Sequence, residues 1–558
     1  MASSSNQKQP FKRRPGRRRL PPLAQGPAFQ FVVASHPDEF KDGETMRNVR
    51  SHVMYKHREQ RESSPRDSIR SREGSSVTVS TTCTPSPMAT NTNGMLDDTY
   101  LAPTPARHHG TVWSQDTYRF DTPSPSESPT RALAARILSA TTTATARSAP
   151  PMFREPSEYT FPARNVSEHQ SLEDLKCDWI HNTAFFCHDS SWMQYICDNR
   201  LSFLSHVYAT LVYQDLGEGL LHDSDLTAYA KTTIMRSISD RLDTDDVTII
   251  SILHLLISEI GGLDEDVFNV HQDGLATCMR NLRGGILSQN VSKFMTLVML
   301  TFAISRGQDE SLELTPRRSS PVLPDDGIPI SPLSAPIEDM SRLYGHCSTR
   351  TMELTGDMQR CTSIFLARWS HTGTAESTLS GQLATCDAQL QQTYIRLLSL
   401  PSTEDDLSPN WIYESCRLAA LIYCRSIIHG AAFADSAATM HARNAGPNTE
   451  SSTLLAALYE ALNKTDTQGC WGTPLRGIFL WVCLVGSAAS WSSARPSNDD
   501  EETSQASAWM RKCFALYAVR AAVSVPFELA DATIHALRTM LQVRRGMAAK
   551  KGLEEIGQ

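Results

Sequence analysis

The sequence predicts an all-α protein, one large multi-helix domain preceded by a disordered, basic N-terminal region, and three observations predict it. From about Glu168 to Gln542, apolar residues return at three- and four-residue steps in successive segments broken by Gly, Pro and polar loops, which is the helical period. Signals for a sheet are missing from the same span. Ahead of it, residues 62–165 are dominated by Ser, Thr, Pro and Arg, with too little apolar surface to offset the entropy of ordering the chain.

The chain opens on a basic arm, residues 1–28, whose Lys12, Arg13, Arg14, Arg17, Arg18 and Arg19 put six positive charges into eight residues. Such a run does not fold alone; an import receptor can wrap it, and phosphates can pair with it in a salt-dependent way. It lacks the Arg-Gly-Arg-Pro core of a minor-groove hook, so reading of a specific DNA site is not expected from it. Residues 1–72 carry sixteen Lys and Arg against seven Asp and Glu, a net of +9, while the whole chain is at −8 and the remainder therefore at −17. A basic arm on an acidic body points to a polyanionic partner or a nuclear address. The basic run leads into Pro21-Pro22 rather than an apolar segment, and Pro10, Pro15 and Pro27 also oppose an amphipathic presequence.

Residues 29–61 follow with a short strand-like run, Phe29–Val33, and a helix expected from Glu44 to Arg61. Met46, Val49 and Val53 lie along one side of that helix, and Arg47, Arg50, His57, Arg58 and Arg61 along another, so one side docks and the other meets an anion or water. The Ser/Thr/Pro-rich stretch 62–165 reads as a tether whose ends lie roughly 50–60 Å apart. Ser-Pro or Thr-Pro steps begin at Ser64, Thr84, Ser86, Thr104, Thr122, Ser124 and Ser128. Two apolar islands interrupt it, at Val112-Trp113 and Leu133–Leu138, each either part of the tether or a short partner-binding helix.

The helical domain is expected over 166–545, with a tail at 546–558. Its helices are predicted at Leu172–Phe186, Trp192–Leu216, Leu226–Leu242, Val247–Ile260, Val267–Leu282, Val291–Ile304, Ser341–Trp369, Leu383–Leu400, Trp411–His429, Leu454–Leu462, Leu475–Trp491, Ala508–Val523 and Phe527–Val543. Val247–Ile260 is apolar nearly all round and should be central. In Val267–Leu282, Val270, Leu275, Cys278, Met279 and Leu282 form one stripe. Arg283 then meets the negative helix end, and Gly284-Gly285 supply a left-handed corner. His271, Gly274, Leu275, Arg283, Gly284 and Gly285 are thus read as a structural corner. Loops are expected at 307–336, 435–448 and 493–503, the first a disordered insert with Thr315-Pro316, Ser320-Pro321 and Ser331-Pro332 steps.

The chemistry-bearing patterns are few. Thirteen cysteines include no CxxC pair, and the ten-residue spacing of Cys177, Cys187 and Cys197, with His181 and His188 nearby, does not suit structural zinc. Phosphate-binding, nucleophile-elbow and dinucleotide motifs do not occur. No metal, cofactor or catalytic residue is assigned, and no enzyme is expected. Trp471, Phe479, Trp481 and Trp491 read as packed core rather than a ligand pocket. The longest membrane-like run, Ile478–Ala489, falls short of the ~20 residues that span a bilayer, so no membrane partner is expected.

Four blocks carry a resemblance: Phe31–Met54 (FVVASHPDEFKDGETMRNVRSHVM), HQDGLATCMRNLRGG from His271, YESCRLAALIY from Tyr413, and PLRGIFLWVCLVGS from Pro474. Together they resemble the fungal-specific transcription factor domain proteins of the second type, often labelled tachykinin-family proteins in fungal genomes. The resemblance implies an all-helical regulatory domain in a nuclear protein that tunes transcription, with an import receptor and other transcription proteins as partners. In related regulators this body follows a binuclear zinc cluster. Here no cysteine precedes Cys83, so contact with DNA is expected to be weak or indirect. A protein-interaction scaffold and a small-molecule sensor are the competing readings.

Overall fold

The computed structural model describes residues 128–148, 171–182, 190–241, 245–262, 265–282, 287–308, 329–334, 340–370, 379–403, 406–441, 452–491 and 501–556. Among them the fold is all-α. The helices are α1 (Pro129–Ser148), α2 (Leu172–Asn182), α3 (Ser190–Asp198), α4 (Arg200–Gly217), α5 (Asp225–Ser239), α6 (Asp246–Glu259), α7 (Glu265–Asn281), α8 (Gln289–Arg306), α9 (Thr349–Ser370), α10 (Leu379–Leu398), α11 (Trp411–His429), α12 (Phe433–Ala437), α13 (Leu454–Asn463), α14 (Gly472–Ser490), α15 (Glu501–Val523) and α16 (Ala530–Ile556).

Side-chain caps set many of the starts. Asp245 accepts from the Thr248 amide at 2.8 Å to open α6, and Ser224, Ser288, Asn410 and Thr453 do the same for α5, α8, α11 and α13. Gly307 and Gly430 end α8 and α11 at positive φ, where a Cβ would be strained. As expected, α6 is central, with every residue from Thr248 to Ser258 buried. It packs on α4 and α7. On the other side of the body α11 gathers α9, α10 and α13, and α8, α14, α15 and α16 join the two groups in one continuous core.

The structure corrects several boundaries. The expected helix Trp192–Leu216 is two, because the Asn199 side chain accepts from the Leu201 amide and starts α4 afresh. Ser341–Trp369 is a short 3-10 turn, Ser341–Leu343, followed by α9, with Gly345 at φ +78° between them. Val270 is 67 % exposed. The rest of the expected stripe holds: Leu275 is buried and Cys278, Met279 and Leu282 pack against the core, while Phe268 takes the place of Val270, edge-on to Phe302 at 5.3 Å.

Two readings of disorder are also corrected. Within the stretch assigned to the tether, α1 docks through buried Leu133, Ala134, Ile137 and Leu138, a stripe at helical spacing that α2 and α4 complete. In the 307–336 insert, Ile330 and Leu333 are buried, and the Gln359 side chain donates to the Ser331 carbonyl at 3.0 Å. The 435–448 loop contributes α12 and a two-residue antiparallel clip, Met440–His441 against Ser452–Thr453, too short to show any period. The tail from 546 continues α16, where Met547 is buried and Lys550 donates to the Ile428 carbonyl.

Candidate regulatory site

Of the residues singled out from sequence, Lys12, Arg13, Arg14, Arg17, Arg18, Arg19, Arg47, Arg50, His57, Arg58 and Arg61 lie outside the described residues, as do Arg283, Gly284 and Gly285. His271, Gly274 and Leu275 fall on α7. Leu275 is fully buried, and a Cβ added at Gly274 would touch nothing within 4 Å. Burial first, then the nearby Lys231 ammonium, holds His271 below the usual histidine range.

Lys231 belongs to a seam of ionisable groups that periodicity did not reveal. Its ammonium pairs with Glu259 and lies 3.6 Å from Asp223. Lys512, 3 % exposed on α15, donates to the Leu221 carbonyl at 2.5 Å. On α1, Arg131 bridges Asp215 at 2.7 Å and Glu218 at 2.8 Å, and donates to Ser224 Oγ at 2.8 Å. Burial raises the Asp223 carboxyl, opposed by Lys231 and Lys512, and lowers Lys512, opposed by Asp223, Asp215 and Glu259. The opposite charges offset only part of one another's desolvation, and burial prevails at both Asp223 and Lys512. Chemically, the seam clips α1, α5 and α15 to the α4–α6 pair.

The YESCRLAALIY block folds as the first half of α11 and holds a second buried pair. Arg417 donates from Nε to Glu414 Oε2 at 3.0 Å and from Nη2 to Oε1 at 2.6 Å. Glu414 also accepts from Ser402 Oγ and the Thr403 amide, each at 3.1 Å. Burial works to raise the Glu414 carboxyl, but Arg417 and the Thr403 amide outweigh it and hold it below the usual range. The fork therefore pins the loop between α10 and α11.

The PLRGIFLWVCLVGS block is α14. It leaves a turn in which Cys470, Trp471 and Gly472 all have positive φ, and the Trp471 indole donates to Thr465 Oγ1 at 2.8 Å. By length and composition α14 could cross a membrane, since Gly472–Gly477 and Ser490 extend the run beyond Ile478–Ala489, yet 78 % of the apolar window is buried among other helices. Arg476 donates to the Ser524 carbonyl at 2.8 Å. Gly477 lets the backbone of the insert approach, for a Cβ there would sit 2.4 Å from the Ile330 carbonyl oxygen. Gly486 does the same for Phe514, whose ring would lie 2.4 Å from an added Cβ. Between the insert, α14 and α16 a small cavity of about 20 Å³, room for a single water, is lined by Pro329, Ser331, Arg476, Leu480, Val525 and Thr533. It has one cationic side chain and a mostly apolar wall, and it is far smaller than a small-ligand site. Phe479 and Trp481, by contrast, are fully buried core, as expected.

The described cysteines are free thiols, most of them buried. Among the described residues no three His, Cys, Asp or Glu side chains converge as a metal site. Sequence reasoning missed Glu414–Arg417, Arg476 with Gly477, and the Asp215–Lys231–Lys512 seam. The available signal was an ionisable or Gly residue at an inward position of an apolar helix.

A family model described as a fungal specific transcription factor domain matches residues 208–501, more than half of the chain. The match begins within α4 and ends at the first residue of α15. No curated protein and no solved structure matches the chain.

Proposed function

The chain belongs to the fungal specific transcription factor domain family, and from that premise we propose that it regulates transcription in the nucleus as a non-catalytic protein. Its helical body binds other transcription proteins. The basic arm, Lys12 to Arg19, carries nuclear import and weak phosphate contact, so DNA is reached chiefly through a partner. The observation that carries this reading is the extent of the family match, which takes in the central helices α6, α8, α11 and α14 and so the body itself rather than an appended motif. Chromatin association mapped in cells, with and without residues 1–72, tests it. Promoter enrichment of the full chain, lost on deletion of the arm, is the expected result. Uniform cytoplasmic staining of the full chain would overturn the reading in favour of a scaffold.

A further inference from the structure

We propose that Ser128 is a phosphorylation site for a proline-directed protein kinase, and that the phosphate releases α1 from the helical body. Ser128 stands immediately before Pro129, the first residue of α1. Its carbonyl accepts the Ala132 amide at 3.0 Å, so it is the residue that caps the helix, and its hydroxyl donates to Gln214 Oε1 of α4 at 3.2 Å. The residue is half-buried. The Ser331-Pro332 step differs, because Ser331 is 3 % exposed and packed under α9.

One helical turn beyond Ser128, Arg131 makes the ionic attachment of α1. A single guanidinium serves two carboxylates, Asp215 at 2.7 Å with 1 % of its side chain exposed, and Glu218 at 2.8 Å with 44 % exposed. In the transfer, Ser128 Oγ bonds to the γ-phosphorus of a nucleoside triphosphate and the bond to the β,γ-bridging oxygen breaks. The nucleoside diphosphate leaves with that electron pair, and the hydroxyl proton passes to the kinase's base. The product carries a charge of about −1.5 to −2.

That charge arrives where two carboxylates already share one cation, and both arrangements open to it weaken docking. If Arg131 stays on Asp215 and Glu218, the phosphate adds negative charge against Gln214, the residue next to Asp215 on α4, and Arg131 is not left to take it up. If Arg131 turns to the phosphate, Asp215 is left as a buried charge with its ion pair broken, a costly state. The hydroxyl proton shared with Gln214 is lost in either case. A helix N-terminus does attract phosphate, but that attraction belongs to α1 itself and persists after undocking, so it does not hold the helix on the body. Release would bare the Leu133, Ala134, Ile137 and Leu138 stripe and the face of α2 and α4 beneath it.

The test uses the full chain, a proline-directed kinase and ATP, with site occupancy read by mass spectrometry and amide hydrogen exchange followed in peptides spanning 130–141 and 246–259. Phosphorylated protein should exchange about tenfold or more faster in the first peptide, with the α6 peptide unchanged. Ser128→Ala should block labelling at this position and keep α1 protected, and Arg131→Gln should speed exchange without any kinase. The proposal fails if Ser128 takes no phosphate in the full chain while a peptide of residues 120–134 does. It fails equally if stoichiometric phosphorylation leaves α1 exchange unchanged, or if Arg131→Gln leaves α1 as protected as before.

Discussion

At the scale of single residues, two glycines of the blocks read from sequence have opposite roles. Gly477 on α14 has the Ile330 carbonyl oxygen where a Cβ would go, and a backbone atom cannot rotate away. Gly477→Ala should therefore destabilise the full chain by about 1–3 kcal/mol through overpacking. Gly274 sits inside α7 with open space around its Cα, so Gly274→Ala should stabilise by roughly 0.5–1 kcal/mol through helix propensity. Urea denaturation of both variants checks the pair, and equal effects would show that close approach does not explain Gly477. Sequence alone does not separate the two glycines, since both lie in helical patterns and the segment that crowds Gly477 comes from a distant insert. The Glu414–Arg417 fork was obscure for a related reason. A Glu and an Arg three residues apart read as a surface pair, and only the fold shows them buried against the Ser402–Thr403 backbone.

At the scale of helices, the α4–α6 pair carries two buried histidines that must stay neutral. Trp179 donates to His206 Nδ1 at 3.2 Å, and His254 Nδ1 shares a proton with Ser205 Oγ at 2.8 Å, with the rings 6.0 Å apart edge to face. Burial holds His206 down to about 4, and burial together with His206 holds His254 well below its ordinary value. The unfolded chain therefore takes up protons between pH 6.5 and 4 that the folded chain refuses. The His206 contribution is complete above about pH 6.5, declines as pH falls and levels off below about 4; about 2 of its roughly 3 kcal/mol are gone at pH 5. Urea midpoints at pH 7 and pH 5 should show this loss, and His206→Leu should shrink the difference between the two pH values by about that 2 kcal/mol. An unchanged difference would mean that His206 is not the group that titrates. Apolar periodicity made α6 legible as the central helix. It gave no warning of the histidines, because a His on an apolar face carries the same pattern whether it is solvated or enclosed.

At the scale of the molecule, the stretch shared with the family is smaller than the unit that folds. Residues 208–501 begin inside α4 and omit α15 and α16. Yet α14 and α15 form the most extensive helix pair of the body, with Gly486 accommodating the Phe514 ring. Polar ties cross the same boundary. Tyr213 Oη donates to the Leu516 carbonyl at 2.7 Å, Arg476 to the Ser524 carbonyl at 2.8 Å, and Arg544 to the Ala303 carbonyl at 3.0 Å. Cutting at 501 would uncover an apolar face of α14 and α8 and remove the Ser524 carbonyl that Arg476 donates to. A fragment of residues 208–501 should therefore show helical far-ultraviolet dichroism but no cooperative urea transition and little near-ultraviolet signal, the behaviour of a chain that has lost specific packing. Residues 128–558, which keep α1 and the two C-terminal helices, should unfold in one sharp transition. A cooperative transition in the shorter fragment would show that α15 and α16 are an addition to the fold rather than part of its core.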